Sequence, residues 1–311
     1  MNQHLRVLSH LPIDRLARVP DEVPDVEVVT ISDRDELPPD LRGDVLVTYT
    51  WGAPNIAQVV QRGVRWIHTI GTGVDRFPFD VVGDRVLTCS RGASAVPIAE
   101  WVLAVMLAFE KRLPETWIHE PAQWRRLQLG GLHGRTLGLL GLGGIGSAVA
   151  ERALPFGMEV VASRRTNAPS PIAGVEVLGS IDEVLARADH LVLALPSTPE
   201  TRHVIAPASL ARVKHGVHLV NVARGTLIDQ EALRVALDDG RVACASLDTA
   251  DPEPLLEGHW LYAHPRVRLS PHVSWSMPGA LEVFVEAFVD NLRRFRTGLP
   301  LHGVVDVQRG Y

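Results

Sequence analysis

Cysteine is scarce: the 311 residues hold only Cys89 and Cys244. Two thiols so far apart form neither a disulfide framework nor a metal-ligand cluster, so no metal is expected. Long hydrophobic runs are missing too. The longest uncharged apolar stretch, Thr136 to Ala150, is rich in glycine and shorter than the ~20 residues that cross a bilayer. The opening MNQHLRVLSH lacks the apolar core of a secretory leader. Together these absences predict a cytoplasmic protein with no membrane partner. Positive charge is not in surplus either. Lys and Arg number 31 against 36 Asp and Glu, for a formal charge of −5, and the pairs Arg125-Arg126, Arg164-Arg165 and Arg293-Arg294 are scattered. A nucleic-acid-binding face is therefore not expected. Internal repeats and low-complexity segments are absent. What remains, 46% hydrophobic and 22% charged residues, is an ordinary globular composition, long enough for two domains.

Apolar strand-like runs alternate with helix-compatible segments along most of the chain. In the first hundred residues the strands fall at Leu5 to Leu8, Val26 to Ile31, Val45 to Tyr49, Trp66 to Ile70 and Arg85 to Thr88. A second series starts at Thr136 and continues at Glu159 to Ala162, His190 to Leu195, Val217 to Val222, Ala243 to Leu247 and Val267 to Leu269, about six strands in all. Such alternation predicts an α/β fold with doubly wound parallel sheets. Ala95 to Phe109, with Pro97 in its first turn, is apolar nearly all round and reads as a buried helix. Leu281, Phe284, Val285, Phe288, Val289 and Leu292 recur at helical spacing near the end.

One turn in this frame has nucleotide chemistry. Gly141, Gly143 and Gly146 form G-x-G-x-x-G after an apolar strand and open a small-residue helix. The first glycine permits the tight turn, the second lets backbone approach a pyrophosphate, and the third lets helix pack on strand. At the end of the next strand, where an NAD-type acid would bind the ribose, the chain reads Ser163-Arg164-Arg165. A hydroxyl and two guanidinium groups suit a 2′-phosphate, so NADP(H) is expected in preference to NAD(H).

Three further residues follow strands at their carboxyl ends, where open α/β sheets bind ligands: Arg224, Glu253 and His272. Arg224 can hold a carboxylate through a bidentate fork. His272 can give a proton to a carbonyl oxygen as hydride reaches its carbon, and Glu253 can orient the imidazole and favour its charged form.

At these residues the chain resembles the D-isomer-specific 2-hydroxyacid dehydrogenase family. The matching stretches run in order from Thr69-Ile70-Gly71-Thr72-Gly73-Val74-Asp75 through Ile98-Ala99-Glu100, Gly141 to Gly146, Ala188-Asp189-His190, Leu195 to Thr201, Asn221 to Gly225, Leu247-Asp248 and Glu253-Pro254 to Ser270-Pro271-His272. The resemblance implies two Rossmann-like domains. A cofactor domain (97–278) would be inserted into a discontinuous substrate domain (1–96 and 279–311). It implies that Arg224, Glu253 and His272 are catalytic, and that Trp51, Gly71, Thr72 and Gly73 join Arg224 in binding substrate. Cofactor contacts would come from Gly141, Gly143, Gly144, Ile145, Gly146, Ser163, Arg164, Arg165, Leu195, Pro196, Thr201, Val222, Ala223, Asp248 and Ser274. Asp248 would approach the nicotinamide carboxamide.

The family often has Arg where this chain has Gly144, and a common aromatic is replaced by Ala250. The implied activity is reduction of a small 2-oxo acid to a D-2-hydroxy acid, akin to glyoxylate/hydroxypyruvate reductases. The alternative is a non-catalytic NAD(P)-sensing module like the corepressors of this fold. A homodimer is expected, with Trp117 and Trp124 beside the apolar helix at its interface.

Overall fold

The computed structural model describes residues 4–166 and 168–311. The chain divides into two compact units, Met1–Ser94 with Met277–Tyr311, and Ala95–Ser276. Both boundaries fall two residues before those read from the sequence. The reason at the first is local. The long helix runs Ala95–Glu110, so Pro97 is its third residue, within the expected first turn, and the helix begins two residues before it. The first four helical N–H groups lack intrahelical partners, so proline is tolerated there as well.

The first unit is built on five parallel strands: β1 (Leu5–Ser9), β2 (Val26–Thr30), β3 (Val45–Tyr49), β4 (Trp66–Ile70) and β5 (Val86–Cys89), in the order β2-β1-β3-β4-β5. Side chains alternate between its faces. Leu8, Leu46 and Ile67 pack with Ile56 and Val59 on one side. Val7, Val45, Val47 and Trp66 pack with Phe288, Val289 and Leu292 of the helix Ala280–Thr297 on the other. Burial of both faces explains why these strands read as nearly continuous apolar runs.

The second unit holds seven parallel strands: β6 (Thr136–Leu140), β7 (Glu159–Ser163), β8 (Val175–Val177), β9 (His190–Leu193), β10 (Val217–Asn221), β11 (Val242–Leu247) and β12 (Val267–Leu269). Their order is β12-β11-β10-β9-β6-β7-β8. Strand order reverses between β6 and β9, the switch point where doubly wound sheets bind nucleotides. One strand more than the expected six is present. The addition, β8, is three residues long, pairs only with β7 at the sheet edge, and follows a stretch rich in proline and glycine. Helices Ala95–Glu110 and Gly144–Ala153 cover one face. Among the described residues no helix is long and apolar enough to cross a membrane. Among the described residues no group of three His, Cys, Asp or Glu is placed to hold a metal ion.

Candidate active site

The glycine-rich turn leaves β6 at the switch point. Gly141 has φ +103°, and a Cβ there would meet the Ala194 carbonyl oxygen at 2.6 Å. A Cβ on Gly146 would lie 2.1 Å from the Gly141 carbonyl oxygen, so the helix Gly144–Ala153 seats this closely only with glycine. Gly143 is the opposite case: it is exposed, and nothing lies within 4 Å of where its Cβ would be. Exposed backbone at a helix start, with unbonded N–H groups and the positive end of the helix dipole, is an anion cradle. It fits a dinucleotide pyrophosphate.

Ser163 ends β7 beside this turn and is buried. The half-buried Arg164 donates from Nη1 to the Pro169 carbonyl oxygen at 3.1 Å, and Arg165 is exposed. After β9, Leu195 and Pro196 enter a turn closed by Thr201. Its hydroxyl donates to the Pro196 carbonyl oxygen (2.7 Å) and accepts the Thr198 N–H (2.8 Å). Val222 and Ala223 follow β10 and are buried.

Arg224, Glu253 and His272 belong to loops that leave the carboxyl ends of the neighbouring strands β10, β11 and β12. Asn221 shapes the first loop, accepting the Ala223 N–H (3.0 Å) and donating to the Arg224 carbonyl oxygen (2.8 Å). Glu253 Oε1 accepts the Ala250 N–H at 3.0 Å, and Oε2 lies 3.0 Å from His272 Nδ1. Against a carboxylate, Nδ1 must donate, which leaves Nε2 as the nitrogen that can exchange a proton with a ligand. Burial pushes the Glu253 carboxyl up. The His272 hydrogen bond, the Ala250 N–H and the charge of Arg224 outweigh it and hold the group below the usual carboxylate range. Glu253 is therefore an anion at neutral pH, with both an imidazole and a guanidinium acting on it.

Asp248 organises the third loop. It is 1% exposed at the end of β11. Its Oδ1 accepts from Ser270 Oγ (2.5 Å) and the Val273 N–H (2.8 Å), and its Oδ2 from the Ser274 N–H (2.9 Å). Its carbonyl oxygen accepts the His272 N–H at 2.9 Å. His272 itself has φ +55°, a left-handed conformation unfavourable for histidine, and Trp275 Nε1 donates to its carbonyl oxygen at 3.0 Å. The sequence reading assigned Asp248 to the cofactor and passed over its bonds to this loop. Ser270 stands in the matched Ser270-Pro271-His272 stretch, but the sequence reading gives it no role. The adjacency of Ser270 to the Pro271-His272 pair was the only available signal.

Trp51 and Gly71-Thr72-Gly73 lie in the first unit, just past the carboxyl ends of the adjacent strands β3 and β4. Trp51 is 62% exposed and stacks on Tyr49 with ring centroids 5.1 Å apart. Gly71 has φ +123°, and its carbonyl oxygen accepts the Ser90 N–H at 2.8 Å.

Residues 103–274 match the family described as D-isomer specific 2-hydroxyacid dehydrogenase, NAD binding domain. The chain is 34% identical over 248 residues to a D-3-phosphoglycerate dehydrogenase of Methanocaldococcus jannaschii. That match covers 76% of this chain and 47% of the relative, so the chain spans about half of the relative's length. Two solved structures are similar over nearly the whole fold. One is a D-isomer specific 2-hydroxyacid dehydrogenase from Xanthobacter autotrophicus Py2 in complex with NADPH and MES, with TM-score 0.86, 26% identity, and 99% of this chain and 100% of that one covered. The other is an NADPH-dependent glyoxylate/hydroxypyruvate reductase from Sinorhizobium meliloti in complex with NADP and sulfate, with TM-score 0.83, 26% identity, and 99% and 100% covered.

Proposed function

Because the chain belongs to the D-isomer specific 2-hydroxyacid dehydrogenase family, we propose that it is an NADPH-preferring reductase converting a small 2-oxo acid to a D-2-hydroxy acid. The observation that carries this reading is the His272–Glu253 pair, 3.0 Å apart and under the charge of Arg224, on the sheet whose strand β6 leads into the glycine-rich turn.

The Gly141–Gly146 turn is the group that would hold a dinucleotide pyrophosphate, with the amides of Gly143, Gly144 and Ile145 at its helix start. Ser163, Arg164 and Arg165 would take the 2′-phosphate. Leu195, Pro196, Thr201, Val222, Ala223, Asp248 and Ser274 would border the rest of the cofactor. When bound, the cofactor supplies a hydride. Arg224 holds the substrate carboxylate in its guanidinium fork. His272 delivers the proton from Nε2 to the carbonyl oxygen as the carbon is reduced, and ends neutral. Glu253 keeps the ring oriented and stabilises the imidazolium before transfer. In the first unit, Trp51 and the amides of Gly71, Thr72 and Gly73 are the proposed substrate contacts.

NADPH preference is supported by the absence of an acid at the end of β7 and by the NADPH and NADP held in the two similar structures. A homodimer is supported by apolar side chains left exposed near the long helix: Val96 at 44%, Trp117 at 64% and Trp124 at 82%. Light scattering that returns the monomer mass of 34.0 kDa at micromolar concentration rejects the dimer. The activity is tested by following NADPH and NADH absorbance with glyoxylate, hydroxypyruvate and phenylpyruvate at millimolar levels. Turnover of at least one acid, faster with NADPH, is the expected result. Cofactor binding without turnover of any 2-oxo acid would instead indicate a non-catalytic sensing module.

A further inference from the structure

The amino edge of the seven-stranded sheet, opposite the glycine-rich turn, borders a cavity of about 470 Å³. Its walls include Glu110 and Arg112 at the end of the long helix, Arg135 before β6, Asp189 before β9, and Lys214 and His215 before β10. Three permanent cations thus face two carboxylates, in a chain whose net charge is −5.

Both carboxylates are already committed within the protein. Asp189 Oδ2 accepts the Thr136 N–H at 2.8 Å, and Oδ1 accepts from Lys214 Nζ at 3.1 Å. Glu110 Oε1 lies 3.1 Å from Nε2 of the buried His190. Burial pushes each acid up, but these partners outweigh it, so both are held below the usual carboxylate range and stay ionised.

The guanidinium groups are in the reverse condition. Arg135 meets Glu110 and Asp189 only at 3.8 and 3.9 Å, too long for hydrogen bonds. Arg112 has no side-chain hydrogen bond or ion pair among the described residues. Its backbone position is also unusual. Leu113 N–H bonds to the Ala108 carbonyl and Arg112 N–H to that of Phe109, a Schellman ending with Arg112 at the left-handed site, φ +52°. Glycine normally fills that site, and another residue there costs on the order of 1 kcal/mol. A cation at a helix end suits the helix dipole, but the left-handed position itself favours glycine.

We propose that this cavity binds a phosphate group, as the head of a small monoester. Two planar forks and the Lys214 ammonium can engage the three oxygens of a phosphate dianion, whereas a carboxylate saturates one fork. The volume lies in the range of small-molecule sites, ~300–1,000 Å³, and leaves room for an organic remainder. The site does not depend on the activity proposed above.

The test is calorimetric titration of the full chain with inorganic phosphate and, separately, with glycerol 3-phosphate, at constant ionic strength in chloride. Saturating NADPH is present so that the nucleotide turn is filled. One saturable site is expected, tighter for the ester than for free phosphate. Arg112→Gln should weaken it at least ~10-fold, the loss of one charge-assisted fork, and Lys214→Gln should weaken it too. Arg112 is exposed and has no side-chain partner, so its variant should fold normally. Arg164→Asp should leave the titration unchanged. The proposal is overturned if the wild type shows no saturable binding, or if Arg112→Gln and Lys214→Gln bind as the wild type does. It is also overturned if Arg164→Asp alone abolishes binding, which would put the phosphate at the nucleotide turn.

Discussion

Replacing Glu253 by Gln keeps the shape of the side chain and removes its charge, and the rate of reduction should record that loss. The carboxyl is held below its ordinary range, so Glu253 is ionised throughout any assay near neutrality. Its Oε2 lies 3.0 Å from His272 Nδ1, with the two side chains 30% and 40% exposed. At that exposure water screens the pair, and its value is about 0.5–1 kcal/mol rather than that of a buried ion pair. Since each 1.36 kcal/mol is tenfold in rate, reduction kcat/KM near neutral pH should fall about 2–5-fold. The assay is NADPH absorbance with the best 2-oxo acid, read as kcat/KM for both enzymes. An unchanged kcat/KM would remove Glu253 from the role given it here.

Four described non-glycine residues have left-handed backbone, Asp25, Arg112, His203 and His272, and two of them, His272 and Arg112, lie at opposite edges of the same sheet. Each costs on the order of 1 kcal/mol relative to glycine and persists because surrounding bonds over-determine it. At His272 those bonds come from Asp248, whose carboxylate and carbonyl together take four donors from the loop 270–274. At Arg112 they are the two crossed bonds of the helix ending. In both cases a side chain with proton-transfer or anion chemistry stands where backbone preference asks for none.

Much of this fold was legible because parallel strands covered on both faces leave apolar runs that helices separate. β8 escaped because Val175-Glu176-Val177 is too short to show a period. The glycine turn, Arg224 and His272 were legible for a related reason: chemistry at strand ends sits next to an easily read strand. Asp248 was visible as a residue, but its partners lie 22 to 26 positions away, across a crossover. The same limit hid a buried polar chain. His190 and His218 are register partners on β9 and β10, with Nδ1 atoms 3.1 Å apart, and His218 Nε2 lies 2.9 Å from Ser246 Oγ on β11. Strand pairing brings His190, His218 and Ser246 together and the end of the helix Ala95–Glu110 adds Glu110, and no local pattern encodes which residues of two parallel strands lie side by side.

Asp248→Asn places an amide against donors on the loop; kcat should fall up to ~100-fold through misplacement of His272, with NADPH affinity by fluorescence falling much less, while loss of affinity with kcat unchanged would leave Asp248 a cofactor contact only. Arg164→Asp should lower the NADPH-over-NADH ratio of kcat/KM at least ~10-fold, about 1.4 kcal/mol, and an unchanged ratio would dismiss the 2′-phosphate contact. The last prediction concerns stability. His68 is fully buried between Thr88 Oγ1 (2.8 Å) and Ser90 Oγ (3.2 Å), and burial pushes its pKa down to about 3. In the unfolded chain the ring titrates near 6.5. Between these values the unfolded state binds a proton that the folded state refuses, so stability must fall as pH drops from about 6.5 toward 3, by up to ~1.4 kcal/mol per unit from this residue. Above pH 6.5 the ring is neutral in both states and contributes no slope. His68→Gln retains hydrogen-bonding capacity but cannot titrate. Urea unfolding of the first unit, measured at several pH values from about 4 to 7, should give a shallower acid limb for the variant. Parallel limbs would mean that His68 takes up its proton without unfolding, and that its burial does not oppose the charge as argued.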